Sequence, residues 1–219
     1  MSITLTGKTI GQLTTLTGIT EDTVFPVELS GTTYKISYSN IPHFKYEIGD
    51  YVESEGGVIL YRFLNGITQN YLVIDTDDVS TQQVWTDGPN FRAGASSSWD
   101  GLTNSNIIVN HSGHTTSAAK LCLDSTRNGK SDWYLPAIDE LYLITVNKFI
   151  INKKLEEIGG TYFKYNAVGT VPYAPFQYWS SSEYDTIYSL YVWTGGEGVQ
   201  YTISKNLPLR VRAVRRFTI

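Results

Sequence analysis

The sequence predicts an α+β fold, with strands near both ends of the chain and helices between them. Two observations support this prediction. Short runs of alternating apolar and polar residues, separated by Gly and Asn turns, are typical of β-strands and occur near both ends of the chain. Between them, two segments repeat apolar residues at the spacing of an amphipathic helix.

Residues 1–45 differ from the rest of the chain, because they are rich in Thr and contain no run long enough for a core of their own. Val24–Leu29, a turn at Ser30–Gly31 and the alternating run 32–38 predict a β-hairpin. An isolated hairpin is marginally stable in water. We therefore expect this segment to pair between chains or to dock on a larger assembly. Packing on its own downstream domain is the alternative.

Residues 46–219 form the second predicted domain. Asn65-Gly66 is a tight hairpin signal between two strands, and a long ordered loop over 86–115 is expected to be anchored by Trp85 and Trp99. The predicted strands are 56–63, 71–74, 178–183, 187–194, 198–204 and 209–217.

Two helices are predicted in the middle of this domain. The first covers 115–125 and ends at Asn128-Gly129. The second has Pro136 in its first turn, where the missing backbone N–H costs nothing, and Asp139 and Glu140 complement the helix dipole. It is expected to break near Asn147 or Asn152 and to end at Gly159-Gly160.

Composition excludes several classes of function. The net charge of −4 and the pI near 5.4 disfavour nucleic-acid binding, which requires clustered Lys and Arg. With Cys122 as the only cysteine, the chain forms no internal disulfide or cysteine-based metal cluster. No signal peptide or apolar run long enough to span a membrane is visible, so we expect synthesis in the cytoplasm and no membrane insertion.

The first segment resembles the leading part of bacteriophage head-fibre and tail-fibre proteins. The similar pieces are Leu13–Ile19, Phe25-Pro-Val, 31–37 and Asn40-Ile41. The resemblance implies that residues 1–45 attach the protein to other virion proteins and form a homotrimer. It also implies that the protein is located in the virion.

The second domain resembles the carboxyl-terminal domain of bacterial collagen-like adhesins, on four pieces in the same order: Gly56–Tyr61, Gly129–Leu141, Tyr178–Tyr184 and Arg210–Arg215. That family belongs to the C-type-lectin-like superfamily, with the formylglycine-generating enzymes and phage tropism proteins. The resemblance implies two helices on a mixed, mostly antiparallel sheet with long loops. Residues with a structural role would be Asp132, Trp133, Leu135, Pro136, Glu140, Trp179, Arg212 and Arg215.

Individual residues of these pieces have physical roles of their own. Asp132 is placed to cap or brace the start of the second helix, and Trp133 and Leu135 are expected to bury against the sheet. The four arginines of the last strand are expected on a solvated or salt-bridged sheet edge, where they discourage aggregation. They are Arg210, Arg212, Arg215 and Arg216.

The chain departs from the enzymes and calcium lectins of this superfamily. It lacks the paired cysteines of the formylglycine-generating enzymes, and it lacks the Glu-Pro-Asn or Gln-Pro-Asp motif of the calcium-dependent lectins. We therefore expect no catalytic residue, no cofactor and no metal. Asp139 and Glu140 are adjacent on a helix and point in different directions, which disfavours an acid–base pair. His111 and His114 have a spacing that suits a metal ion, but no cysteine accompanies them and a loop role is favoured.

The strand 187–194 suggests a binding surface. The family pattern favours Leu190, Val192 and Thr194 facing inward, which leaves Tyr191 and Trp193 exposed to stack on a sugar or a protein. The predicted recognition patch, which keeps this name below, comprises Tyr184, Asp185, Ser189, Tyr191, Trp193, Gln200 and Thr202. Burial of these aromatic rings by the long loop or by a partner subunit is the alternative.

Three functions remain open. The first is a virion fibre or decoration protein that binds a host-surface glycan or protein. The second is a purely structural virion protein that binds no receptor. The third is an enzyme on the same fold, for which the sequence offers no combination of acid, base and nucleophile.

Overall fold

The computed structural model describes residues 24–29, 32–37, 43–87, 92–163, 176–195 and 200–219. The chain divides into two compact units, Met1–Lys45 and Tyr46–Ile219. In the first unit, strands β1 (Val24–Leu29) and β2 (Thr32–Ser37) pair antiparallel from Val24↔Ser37 to Leu29↔Thr32, which confirms the predicted hairpin. The Leu13–Ile19 and Asn40-Ile41 pieces and the Ser30–Gly31 turn lie outside the described residues.

The second unit is a mixed α+β domain, so the predicted class is confirmed at this level. Its described residues form two sheets and four helices, whereas one sheet and two helices were expected. The strands are β3 (Tyr51–Val52), β4 (Gly57–Asn65), β5 (Thr68–Asp75), β6 (Ser80–Gln83), β7 (Gln177–Glu183), β8 (Tyr188–Trp193), β9 (Gln200–Ser204), β10 (Leu209–Val211) and β11 (Val214–Thr218). The helices are α1 (Gly101–Val109), α2 (Ala118–Leu123), α3 (Ile138–Val146) and α4 (Lys148–Ile158).

The first sheet has the order β11-β5-β4-β3 and the second has the order β6-β10-β7-β8-β9. Strands β4 and β5 form the predicted hairpin, with Asn65 opposite Thr68 and Gly66 at φ +63° in the turn. Only the β10–β7 pair is parallel among the described pairings. The last predicted strand is interrupted at Arg212-Ala213, so its two halves belong to different sheets.

Apolar side chains of both sheets and of α3 and α4 form one core. Its members include Val58, Leu60, Ile74, Tyr134, Leu141, Ile144, Ile151, Leu155, Tyr178, Val192 and Val214. The predicted break between the two helices is confirmed at Asn147, and Gly159 ends α4 in a left-handed conformation at φ +75°. No helix in the described ranges has the length and apolarity needed to cross a bilayer.

Helix α1 is absent from the sequence prediction, which assigns 86–115 to a loop. Asp100 caps α1 by accepting a hydrogen bond from the backbone of Thr103. The buried Asn104 and Ser105 fix α1 to the backbone of Ser97 and Leu135. Tertiary hydrogen bonds therefore stabilise a helix whose own residues are poor helix formers.

Two expectations for the Asp132–Glu140 block are wrong. Helix α3 begins at Ile138 with Ala137 as its N-cap, so Pro136 precedes the cap instead of lying in the first turn. Asp132 does not cap the helix, because its carboxylate receives two hydrogen bonds from Arg215, at 2.6 and 2.8 Å. Trp133 and Leu135 are fully buried.

The four arginines of the last predicted strand are salt-bridged, which was one of the two expected arrangements, but only Arg215 and Arg216 lie on an edge strand, β11. Arg212 is completely buried and donates to Asp78 at 2.7 Å and to the carbonyls of Asp75 and Thr161. Arg215 is 5% exposed and is held by Asp132 and by Glu55 at 2.6 Å. The expected ion pairs are therefore present, but those of Arg212 and Arg215 are buried inside the domain, where their hydrogen bonds offset the cost of burial.

Candidate functional site

The predicted recognition patch does not form one surface. Strands β8 and β9 are antiparallel, with Leu190 opposite Thr202 and Val192 opposite Gln200. Directly opposed residues share a face of the sheet, and successive residues alternate between faces. Gln200 and Thr202 therefore lie on the face of Leu190 and Val192. The opposite face carries Ser189, Tyr191 and Trp193.

Burial also removes residues of the predicted recognition patch from the surface. Tyr191 is only 8% exposed, so the prediction that it faces solvent is wrong. Strand β8 lies between β7 and β9, and Tyr191 is opposed by Trp179 on one side and by Tyr201 on the other. The Tyr191 and Tyr201 ring centroids are 5.8 Å apart. Ser189 is fully buried and donates to the Ser182 carbonyl at 2.9 Å, and Trp193 is half-buried.

Tyr184 and Asp185 lie in the turn between β7 and β8. The Asp185 side chain accepts hydrogen bonds from the backbone of Tyr188 and Ile187, both at 2.7 Å, and these bonds lower the pKa of its carboxyl group. This carboxylate stabilises the turn. Tyr184 remains largely exposed, as do Tyr188 and Tyr201.

A buried ion pair lies behind this turn. The Lys205 ammonium is 2.6 Å from the Glu183 carboxylate and lies 4.6 Å from the Trp85 ring centroid. Glu183 also accepts hydrogen bonds from the backbone of Ala93 and Gly94. The pair thus attaches the loop before α1 to the end of β7.

A second surface, which the sequence prediction missed, combines aromatic rings with charges around a cavity of about 320 Å³. Strands β4, β5 and β11, the loop before α1 and helix α3 contribute to it. We call it the aromatic groove, and its lining residues are Tyr61, Phe63, Leu72, Trp99, Asp139, Glu140, Leu143 and Arg216.

Three aromatic side chains of the aromatic groove are open to solvent. Trp99 is 65% exposed, Phe63 49% and Tyr61 41%. Tyr61 and Phe63 are two residues apart on β4 and share a face, with ring centroids 6.4 Å apart and planes inclined by 32°. Trp99 was expected to anchor its loop in the core, but the buried tryptophan next to this loop is Trp85.

The loop that carries Trp99 is fixed by hydrogen bonds on both sides. The buried Asn104 side chain bonds the backbone N–H and carbonyl of Ser97, at 3.1 and 2.7 Å. The Ser182 hydroxyl donates to the same carbonyl at 2.8 Å, and the backbone N–H of Asp139 donates to the Ser98 carbonyl at 2.8 Å. Trp99 is therefore presented by a preorganised backbone.

Glu140 and Arg216 form the polar base of the aromatic groove. The carboxylate of Glu140 is buried and accepts hydrogen bonds from the backbone of Gly101 and Ala137 and from the Tyr134 hydroxyl. Arg216 donates to Glu140 at 2.6 Å and to the Trp99 carbonyl at 2.9 Å. One ion pair thus connects α3, β11 and the Trp99 loop.

The two histidines have local partners. His111 Nδ1 is 2.8 Å from the Ser112 carbonyl, and His114 Nε2 is 2.9 Å from the hydroxyl of Ser117, the N-cap of α2. Burial lowers the pKa of His114. Among the residues that the structure describes, no three His, Cys, Asp or Glu side chains are placed to hold a metal ion.

Comparisons with known proteins point to no family. The sequence matches no protein-family model, and no curated protein is significantly similar to it. Functional inference therefore depends on the sequence motifs and on the geometry of the aromatic groove.

Proposed function

We propose that the chain is a bacteriophage fibre or decoration protein that binds the host surface through residues 46–219. In this proposal residues 1–45 attach it to other virion proteins and form a homotrimer. The single observation that supports binding is the aromatic groove, where Trp99, Phe63 and Tyr61 stay exposed next to a charged base. No catalytic activity and no cofactor form part of the proposal.

The aromatic groove has the properties of a binding site. Tyr, Trp and Arg dominate the energetic hot spots of interfaces, since they supply large contact areas with few rotatable bonds. Ligand sites are concave and mainly apolar, with a few fixed polar groups. The hydrogen bonds of the Trp99 loop reduce the ordering cost that binding would otherwise carry.

The attachment role is supported by the small first unit and its fibre-like motifs. An isolated hairpin of two six-residue strands is marginally stable in water, so association between chains would stabilise it. The α+β architecture of residues 46–219 is compatible with the C-type-lectin-like fold that its motifs imply, and that fold is part of the proposal.

Host adsorption tests the binding role. Trp99→Ala in the intact chain is expected to reduce binding to host cells at least about tenfold, because it removes the most exposed ring of the groove. The matched control is Tyr184→Ala, which removes an equally exposed ring outside the groove. Equal adsorption of the wild-type protein and the folded Trp99→Ala variant would contradict the proposal.

A purely structural virion role is the second candidate, and an apolar surface on α3 and α4 favours it. Phe149 of α4 is 84% exposed. Ile150 of α4 and Tyr142 and Val146 of α3 are exposed as well. Such surfaces often mark contacts with other proteins. If Phe149→Ser prevents incorporation into particles while Trp99→Ala leaves adsorption unchanged, the structural role is the correct one.

A further inference from the structure

The aromatic groove offers few free hydrogen-bonding groups. Five of its eight lining side chains are apolar or aromatic, and the only polar groups among these five are the Tyr61 hydroxyl and the Trp99 indole N–H. Glu140 and Arg216 form their hydrogen bonds with each other, with the Tyr134 hydroxyl and with neighbouring backbone groups. Within the described part of the chain, the Asp139 carboxylate accepts no hydrogen bond, and it is exposed at the rim. A ligand with many hydroxyl groups would lose more hydrogen bonds to water than this site can replace.

The charge of the aromatic groove favours a cation. Asp139 and Glu140 line it and Asp100 lies beside it, whereas Arg216 is the one positive side chain among its described lining residues. The Arg216 charge is compensated by Glu140 at 2.6 Å and by Asp100 at 3.8 Å, and its guanidinium lies 5.7 Å from the Tyr134 ring centroid. The Asp139 carboxylate is then left to attract a positively charged group.

The exposed rings suit a particular kind of cation. Aromatic faces carry partial negative charge and attract a cation within about 6 Å of the ring centroid. The cavity of about 320 Å³ is at the lower end of the range for ligand sites, about 300 to 1,000 Å³. A primary ammonium is strongly hydrated and needs several acceptors, whereas an alkylated ammonium presents apolar C–H groups around a delocalised charge.

We propose that the aromatic groove binds an alkylated ammonium group, such as a quaternary ammonium headgroup carried by a host-surface polymer. This inference rests on the proposed recognition role of the groove. Trp99, Phe63 and Tyr61 contact the alkyl groups, and Asp139 supplies the opposite charge.

Calorimetric titration of the intact chain with choline tests the proposal. The uncharged carbon isostere of choline, dimethylbutanol, has the same shape and is expected to bind at least about tenfold more weakly, a difference of about 1.4 kcal/mol. Trp99→Ala and Asp139→Asn are each expected to weaken choline binding at least about tenfold. Phe149→Ala, which removes an exposed ring outside the groove, is expected to leave it unchanged.

Three results would overturn the inference. They are equal binding of choline and dimethylbutanol, unchanged choline binding by a folded Trp99→Ala variant, and binding of methyl glucoside in place of choline. Circular dichroism establishes that each variant is folded.

The same variants separate this inference from the proposed function. If choline binds and Trp99→Ala abolishes that binding but host adsorption is unaffected, the ammonium site is correct and the recognition role is wrong. If Trp99→Ala abolishes adsorption and choline neither binds nor competes, the recognition role is correct and the ligand class is wrong.

Discussion

At the level of single residues, Glu140 connects the fold to the aromatic groove. The sequence predicts that it complements the dipole of α3, and its buried carboxylate also accepts from Gly101, Tyr134 and Arg216. Burial, together with the Glu140 charge, raises the pKa of Tyr134, so the tyrosine hydroxyl stays protonated and donates. One side chain thereby satisfies donors from α1, from the segment before α3 and from β11.

Glu140→Ala is expected to lower the free energy of unfolding by about 3 kcal/mol, because it leaves buried donors without an acceptor and Arg216 without its partner. Urea denaturation measures this loss. Asp139→Ala is the matched control, since Asp139 is exposed and adjacent, and it is expected to change stability by less than about 0.5 kcal/mol. Similar losses for the two variants would contradict the role of Glu140.

Asp75 is a buried carboxyl group with an unsatisfied oxygen. Burial raises its pKa, and the Arg127 guanidinium at 3.5 Å counteracts this only in part. Because the folded-state pKa exceeds the unfolded value of about 3.9, the folded protein binds this proton more tightly. The resulting stabilisation is fully present below the unfolded pKa and is lost as the pH rises through the folded pKa.

Asp75→Asn is therefore expected to gain stability relative to the wild type as the pH rises from about 4 towards neutrality. Asn keeps the shape of the side chain without its charge. Urea denaturation of both proteins across this range gives the difference at each pH. If the difference in the free energy of unfolding between Asp75→Asn and the wild type does not vary with pH, burial does not perturb the ionisation of Asp75.

At the level of elements, the contact between α1 and the start of α3 positions the Trp99 loop. Gly101 is the first residue of α1, and a Cβ atom there would lie 2.6 Å from the Leu135 carbonyl and 2.5 Å from the Ala137 nitrogen. Both are backbone atoms, so neither can move independently. The loop and the helix thus depend on the absence of a side chain at this position.

Gly101→Ala is expected to destabilise the protein by about 3 kcal/mol through this overlap. Gly113→Ala provides the comparison, since Gly113 has φ +84° and open space around it, and the strained backbone alone is expected to cost about 1 kcal/mol. Thermal denaturation ranks the two variants. A smaller loss for Gly101→Ala than for Gly113→Ala would show that α1 can shift away from α3.

At the level of the whole molecule, the core that the described residues form lies in the unit Tyr46–Ile219. The chain between β10 and β11 crosses from one sheet to the other, and Arg212 within it bonds Asp78 and two carbonyls. The two sheets are thus connected by a satisfied buried charge as well as by apolar packing.

A fragment of residues 46–219 is therefore expected to unfold cooperatively at a temperature close to that of this domain in the intact chain. Under the proposed trimerisation by residues 1–45, light scattering should give the mass of one chain for the fragment and of three chains for the intact protein. A monomeric intact protein would contradict the trimer, and an unfolded fragment would contradict the autonomy of the domain.

The sequence by itself determined features that depend on neighbouring residues. Asn65-Gly66 predicted the β4–β5 hairpin, Gly159 predicted the end of α4, and alternation along 32–38 predicted β2, whereas the break before α4 was left open between Asn147 and Asn152. The shared face of Tyr61 and Phe63 could also have been predicted from the sequence, because the two residues alternate along a predicted strand. Local turn and helix signals act within a few residues, so they survive in a single sequence.

Only the tertiary structure decided which side chains are buried. Tyr191 is covered because β8 has strands on both sides, and Arg212 is internal because the chain changes sheets beside it. Helix α1 forms because Asn104 and Ser105 bond distant backbone groups. The aromatic groove combines residues from five separate segments of the chain. Contacts between segments far apart in sequence set burial and pairing, and no local pattern encodes them.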